Sequence, residues 1–331
     1  MARLFLNLTD MIKKLYWIVY LVLLAVMVAI TALVPKCGRS LKLLFTLLSV
    51  ALPLAAFAWN AVAESRQDVS AAAEQPLDED AIRHIEGMLK ACERDRIGIN
   101  FADGATQPLP IGVSKYGGRP DVPVGFEWPT DKQGRPLSLM MQVNCAEIAP
   151  LDKNHLLPPS GMLYFFYQMS EQPWDNSTGG ARVLYFDVTN EQLHRATCPE
   201  ALAEDECIAE HPVQFTLHLS YPSFSDLLND SADKQYLVDH WDEYFVAYEH
   251  LGGDYLDEAL GIGLMLGHAQ LIQDVIVDNT NENVLLLQLT SDEVSDDGVM
   301  FGDCGSIYYY IPRQDLNARR FDRLTFALQC Y

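Results

Sequence analysis

The sequence predicts an α+β domain assembled from two related halves, with pseudo-two-fold related β-strand pairs, a few helices and N-terminal hydrophobic helices ahead of it. Three observations predict it. The string LMMQVNCAE at residues 139–147 returns as VLLLQLTSDE at 284–293, so that Gln142 matches Gln288 and Glu147 matches Glu293 at an offset of 146. Each copy is followed by a glycine and an aromatic run: Gly161 matches Gly305, and Tyr164-Phe165-Phe166 matches Tyr308-Tyr309-Tyr310, at an offset of 144. Two copies are too few for a solenoid, which needs three or more units. They fit one core built from the matching strands of both halves, spanning about residues 110–170 and 260–312. The third observation is a pair of charge-free apolar segments, 15–34 and 43–63, ahead of a polar, Ala-rich linker at 64–76.

Within the domain, 77–331, the first element is a helix. Ile82, Ile85, Leu89 and Cys92 recur at helical spacing behind the acidic turn Asp78-Glu79-Asp80. Residues 108–129 hold five prolines and four glycines and predict an ordered loop. LSLMMQVN, GMLYFFYQM, RVLYFDV and VQFTLHLSY read as strands. Tyr236, Leu237, His240, Tyr244 and Tyr248 share one face of a second helix ending at Gly252, and VLLLQLTSDE, GSIYYYIP and LTFALQCY close the chain as strands. Tyr116-Gly117-Gly118 has a weaker echo in Leu266-Gly267-His268.

The chain carries a formal net charge of -22 over 331 residues, and the first 63 residues are positive, with Arg3, Lys13, Lys14, Lys36, Arg39 and Lys42 against Asp10. The domain is therefore strongly acidic and repels phosphate backbones, which excludes a nucleic-acid partner. The expected partner is a membrane, reached through the N-terminal segments. A 20-residue apolar helix crosses about 30 Å of hydrocarbon. Two readings stand: a spanning hairpin, or a signal peptide ending at Ala61-Val62-Ala63 with translation starting at Met27. The expected location of the domain is periplasmic or otherwise extracytoplasmic, the alternative being the cytoplasmic face of the inner membrane. Six cysteines follow Cys37, an even number, and Cys198 and Cys207 bracket a short acidic loop that a disulfide would close.

Residues SKYGGRPDVPVGFEWP at 114–129, PLSLMMQVN at 136–144, LPPSGMLYFFY at 157–167, LLLQLTSDE, FGDCGSIYYYI at 301–311 and the closing QCY together resemble the YwqG-like family, a bacterial domain of unknown function. The resemblance covers roughly residues 82–331. It implies an α+β fold and brings no reaction with it. The sequence departs from the pattern at His268-Ala269 and at Phe301.

Lys115, Arg119, Asp121, Trp128, Gln142, Gln288 and Asp303 lie inside these motifs and are the candidate ligand-binding residues. Two glutamines in otherwise apolar strands either face a shared cleft or satisfy loop backbone groups. The acidic runs fit no EF-hand, the histidines form no zincin pattern, Ser231-Ala232-Asp233-Lys234 lacks the companion motifs of its class, and the glycines at 261–267 miss the dinucleotide fingerprint. No metal, cofactor or catalytic residue is expected. The reading that follows is a non-catalytic binding or interaction module using the loop from Lys115 to Trp128; the alternative is a hydrolase centred on a Gln142/Gln288/Asp303 cleft.

Overall fold

Asp78 starts the first helix, α1 (Glu79–Ala91), by accepting hydrogen bonds from the N–H groups of Asp80 and Ala81. In the computed structural model the described residues are 77–103, 108–203, 206–253, 261–277, 282–291 and 298–331. The apolar segments 15–34 and 43–63 and the linker 64–76 lie outside them. Among the described residues no helix is long and apolar enough to cross a membrane. The α1 face predicted from spacing is buried at Ile82, Ile85 and Leu89, whereas Cys92 is the exposed C-cap. That face packs against Tyr244, Ala247 and Tyr248 of α4 (Trp241–His250) in a core shared with α2 (Phe224–Asp230) and α3 (Lys234–Asp239). The single helix expected over residues 236–248 is two, because His240 leaves helical geometry at φ -119°, ψ 40°.

The domain is mostly β, more so than the sequence predicted. A ten-stranded, wholly antiparallel sheet runs in the order β12-β11-β10-β9-β1-β8-β2-β4-β5-β6. Its strands are β1 (Arg94–Phe101), β2 (Lys115–Tyr116), β4 (Ser138–Asn144), β5 (Met162–Tyr167), β6 (Ala181–Phe186), β8 (His211–Ser220), β9 (Gly263–Leu266), β10 (Asn283–Thr290), β11 (Ser306–Pro312) and β12 (Thr325–Gln329). A separate two-stranded ribbon pairs β3 (Asp121–Pro123) with β7 (Leu193–Arg195). The sheet nearly closes on itself: the Leu328 N–H donates to the Trp174 carbonyl at 2.9 Å, and Asp175 bridges Ala327. Closure leaves an apolar interior filled by Met140, Val143, Phe165, Tyr167, Leu286, Leu289, Tyr309 and Phe326 among others. Such side chains contribute roughly 1.5–3 kcal/mol each on burial.

The order reads the same from both ends. β4 and β10 occupy matching places, as do β5 and β11, β2 and β9, β6 and β12, and β8 and β1 about the centre. β4 bulges between Leu139 and Met141 against β5, and β10 bulges between Leu285 and Leu287 against β11, at the same offset of 146 that relates the glutamines. The Cys145 N–H donates to Gly161 O at 3.0 Å, and the Ser291 N–H to Gly305 O at 2.9 Å. Phe165 and Tyr309, matching residues, meet edge to face across the interior with centroids 5.3 Å apart. The turn after β2 uses Gly117 and Gly118 at φ +60° and +71°, and the turn after β9 uses Leu266 and Gly267 at +61° and +66°. The match there is thus Tyr116 to Met265, one residue off the echo read from the sequence.

Candidate functional site

The loop that the prolines and glycines of residues 108–129 predicted is pinned from beneath by β4. Gln142 projects away from the sheet interior, on the side of Leu139, Tyr164 and Phe166. Its amide oxygen accepts from the Asp121 N–H at 2.6 Å, and its amide nitrogen donates to Val113 O at 2.8 Å and to Asp121 Oδ2 at 3.0 Å. The Tyr164 hydroxyl donates to the Asp121 carbonyl. Without these groups the loop backbone would be buried and unpaired, at a cost of about 1–3 kcal/mol per group.

Asp121 belongs to a cluster of four charges. Lys115 Nζ lies 2.8 Å from Glu210 Oε2 and 3.4 Å from Asp121 Oδ2, and it also donates to Arg119 O at 2.6 Å. The Arg195 guanidinium bonds Asp121 through Nε, reaches Glu210 Oε2 at 3.0 Å and donates to Leu109 O at 2.9 Å. The Gly112 N–H completes Asp121 at 3.0 Å, and the Leu109 N–H completes Glu210 at 3.0 Å. The side chains of Lys115 and Asp121 are 0% exposed. Two cations and two carboxylates make the group neutral, which is the condition for tolerating it in a dry site.

Burial pushes the Asp121 carboxyl up, but the Arg195 guanidinium, the Gln142 amide, the Gly112 N–H and Lys115 together hold it below its ordinary value. Glu210 is likewise pushed up by burial and pulled lower on balance by Lys115, the Leu109 N–H and Arg195. Burial lowers Lys115, and its bond to Glu210 opposes that only in part. None of these polar side-chain atoms is left unsatisfied. A cluster bonded in this way holds the loop in place.

The sequence-predicted residues therefore part company. Lys115, Asp121 and Gln142 come together, with the Arg119 carbonyl contributing while its side chain is exposed. Gln288 sits in the matching place of the other half: it accepts from the Gln270 N–H at 2.9 Å and donates to Gln270 O at 3.2 Å, while the Tyr308 hydroxyl donates to the same carbonyl at 2.7 Å. Four strands lie between β4 and β10 in the sheet order. Each glutamine holds down its own loop, so the two share no cleft. Asp303 is exposed in the turn before β11, where its carbonyl accepts from the Tyr331 N–H at 3.2 Å. Cys198 is half-buried and Cys207 exposed, and no disulfide joins them.

Arg195 and Glu210 were not singled out in the sequence. Both sit outside the repeated motifs, 74 residues from Asp121 and 95 from Lys115 respectively. The one signal available was charge in the segments on either side of the 198–207 loop.

Trp128 is half-buried beside the cluster, its indole N–H donating to Leu137 O at 2.8 Å and its ring set edge to face on Phe126 and Phe166. With Val122, Pro123, Phe126, His194 and Ala196 it lines an open groove of about 230 Å³. Val124, in the same loop, is 91% exposed. Among the described residues no group of three or more His, Cys, Asp or Glu side chains is placed to hold a metal ion.

No curated protein matches the chain. A family model covers most of the domain, from the serine that precedes Lys115 to the penultimate residue, and so takes in the saturated cluster, both glutamines and the groove. By that match, over residues 114–330, the chain belongs to the family described as a domain of unknown function, DUF1963.

Proposed function

We propose that this domain is a non-catalytic binding module whose contact surface is the groove at Phe126, Trp128 and His194. The supporting observation is that the four-charge cluster beneath the loop is spent on holding it, so that an aromatic concavity is presented on a rigid base. A preorganised loop binds without first being ordered, which lowers the entropic cost of association. Half-buried aromatic rings with one polar edge suit flat apolar groups such as a proline ring, a sugar face or an aromatic side chain. The test is a thermal-shift and fluorescence titration of the purified full chain with muramyl peptides, oligosaccharides and short proline-containing peptides. At least one should bind saturably and lose affinity in Trp128→Ala with the fold intact. Failure of the whole panel, or binding that survives Trp128→Ala, would sink the proposal.

The same reading has the N-terminal segments 15–34 and 43–63 tether the domain to a membrane on its extracytoplasmic side. Protease accessibility of the full chain in membrane vesicles from the native host tests this; digestion of the domain from the cytoplasmic face alone counts against it. The palindromic strand order, paired bulges and matched glutamine and tyrosine bonds support descent of both halves from one duplicated segment, and the motif set supports a YwqG-like relationship within the wider family.

A further inference from the structure

The two-stranded ribbon under the groove leaves one of its edges open. β3 and β7 pair antiparallel, with Asp121 opposite Arg195 and Val122 opposite His194, and the Ala196 N–H donates to Pro120 O at 2.8 Å. In such a ladder, hydrogen-bonded pairs alternate with pairs whose N–H and C=O groups face outward. The Ala196 and Pro120 pair is bonded, so the neighbouring Asp121 and Arg195 pair is of the outward kind. Asp121 agrees: on its side the N–H goes to the Gln142 amide oxygen and the C=O takes the Tyr164 hydroxyl. The main-chain N–H and C=O of Arg195 therefore face the other way, off the edge of β7. Those of Thr197, two residues and about 7 Å further along an extended chain, face with them.

Among the described residues nothing takes up that edge. No strand lies beyond β7, and no hydrogen bond from another described element reaches the main chain of Arg195 or Thr197. Leu193, the remaining outward position, is spent in its own turn, its N–H donating to Asn190 O. His194 and Thr197 are both exposed. The other half of the domain holds Gln270 with Gln288 and Tyr308 as this half holds Asp121, but no described strand pairs with it there. The ribbon is thus an addition peculiar to the first half. Its Val122 and His194 face the groove with Phe126 and Trp128, and Thr197 carries the groove wall along the open edge. Outside the neutral cluster, residues 119–128 and 190–200 expose the carboxylates of Glu127, Glu191 and Glu200 against the single guanidinium of Arg119.

We infer that β7 takes an added strand: an extended segment of a partner protein, with lysine or arginine on either side of an apolar residue, pairs its backbone with Arg195 and Thr197 and sets the apolar side chain in the groove. Strand addition draws its affinity from main-chain bonds and its specificity from pockets for alternate side chains. The exposed carboxylates favour the basic flanks and reject an acidic segment. The seat of the side chain rests on the groove reading above, and the open edge does not.

Titration calorimetry of the purified full chain with the peptide acetyl-Lys-Thr-Val-Tyr-Val-Thr-Lys-amide tests the inference. The peptide should bind saturably, and about tenfold or more tightly than its counterpart with glutamate in place of both lysines. Methylating alternate amide nitrogens separates the two edges of the peptide. One set, either the second, fourth and sixth or the third and fifth, should weaken binding about tenfold or more, and the other by less than about threefold. Thr197→Pro removes an outward N–H at an extended position and should weaken binding about fivefold or more, whereas Thr197→Ala keeps that N–H and the affinity. Should Thr197→Pro fail to fold, the two methylated peptides decide. Absence of saturable binding, equal affinity of the two methylated forms, or a glutamate peptide binding as tightly as the lysine one would overturn the inference. Trp128→Ala tells the two readings apart: affinity lost there with no split between the methylated forms leaves the groove and removes the added strand, while a split that survives it leaves the added strand and removes the groove.

Discussion

Asp121→Asn asks whether the four-charge cluster holds the fold. The substitution keeps the shape and removes one negative charge, leaving Lys115 and Arg195 to share Glu210 alone, with net positive charge in a site where Lys115 and Asp121 are wholly screened from water. Whichever way the new amide turns, its NH2 faces donors, the Arg195 Nε in one orientation or Lys115, the Gly112 N–H and the Gln142 amide in the other. Removing one partner of a buried pair costs about 3–5 kcal/mol. With a urea m-value of about 2–3 kcal/mol/M, the unfolding midpoint should fall by roughly 1–2.5 M at pH 7 without a change in slope. Lys115→Met should cost a similar amount. Because the double variant leaves the Arg195 and Glu210 pair neutral, it should be less damaging than the sum of the two by about 1 kcal/mol or more. A midpoint shift under about 0.3 M for Asp121→Asn, or strict additivity, would mean that the carboxylate is solvated. The loop would then have lost its rigid base, and the proposed module its main support.

Three other perturbations bear on the same structure. Gln142→Ala and Gln288→Ala should both lower the melting temperature through about 1–3 kcal/mol of lost and orphaned hydrogen bonds, the first more because it makes three hydrogen bonds to its loop against two; unequal effects in the opposite order would break the correspondence. Gly117→Ala forces a side chain into φ +60° and against the Ala209 carbonyl, and should cost more than about 1–2 kcal/mol, while Gly125→Ala at φ +87° meets no atom within 4 Å and should cost less on a urea titration. Asp226 is pushed by burial to about 6, above its ordinary value, although its Ser223 bonds pull the other way. The stability that this shift brings is present below the unfolded carboxylate range and is lost as pH rises through about 6. Asp226→Asn should therefore be more stable than the parent at pH 7–8, by roughly 2–3 kcal/mol at most, and equal to it near pH 3.5. Melting curves across that range check the sign.

Continuous apolar runs made β4, β5, β10 and β11 legible, because a strand buried on both faces needs no alternation and both of its faces are covered here. The α1 face was legible from its 3.6-residue spacing. β9 was not: the four residues GLML are too short to mark a strand by pattern, and only pairing with β1 and β10 makes them one. β1 was hidden as well, since RDRIG follows a helix without a proline or glycine to mark the join. Of the site, the sequence singled out Lys115, Asp121 and Gln142, and it placed Gln288 and Asp303 with them where the fold does not.

By itself the sequence determined the matched pair of glutamine-centred strands, the loop that the first of them carries and the strongly acidic composition of the chain. These follow from residue type and local spacing, which the chain states outright. Only the tertiary structure decided that the glutamines hold separate loops, that Arg195 and Glu210 neutralise Lys115 and Asp121, and that the Arg195 backbone faces off an open ribbon edge. Each of those facts depends on antiparallel pairing between segments tens to hundreds of residues apart. Burial then sets the worth of a charge by its neighbours in space, whatever their distance along the chain.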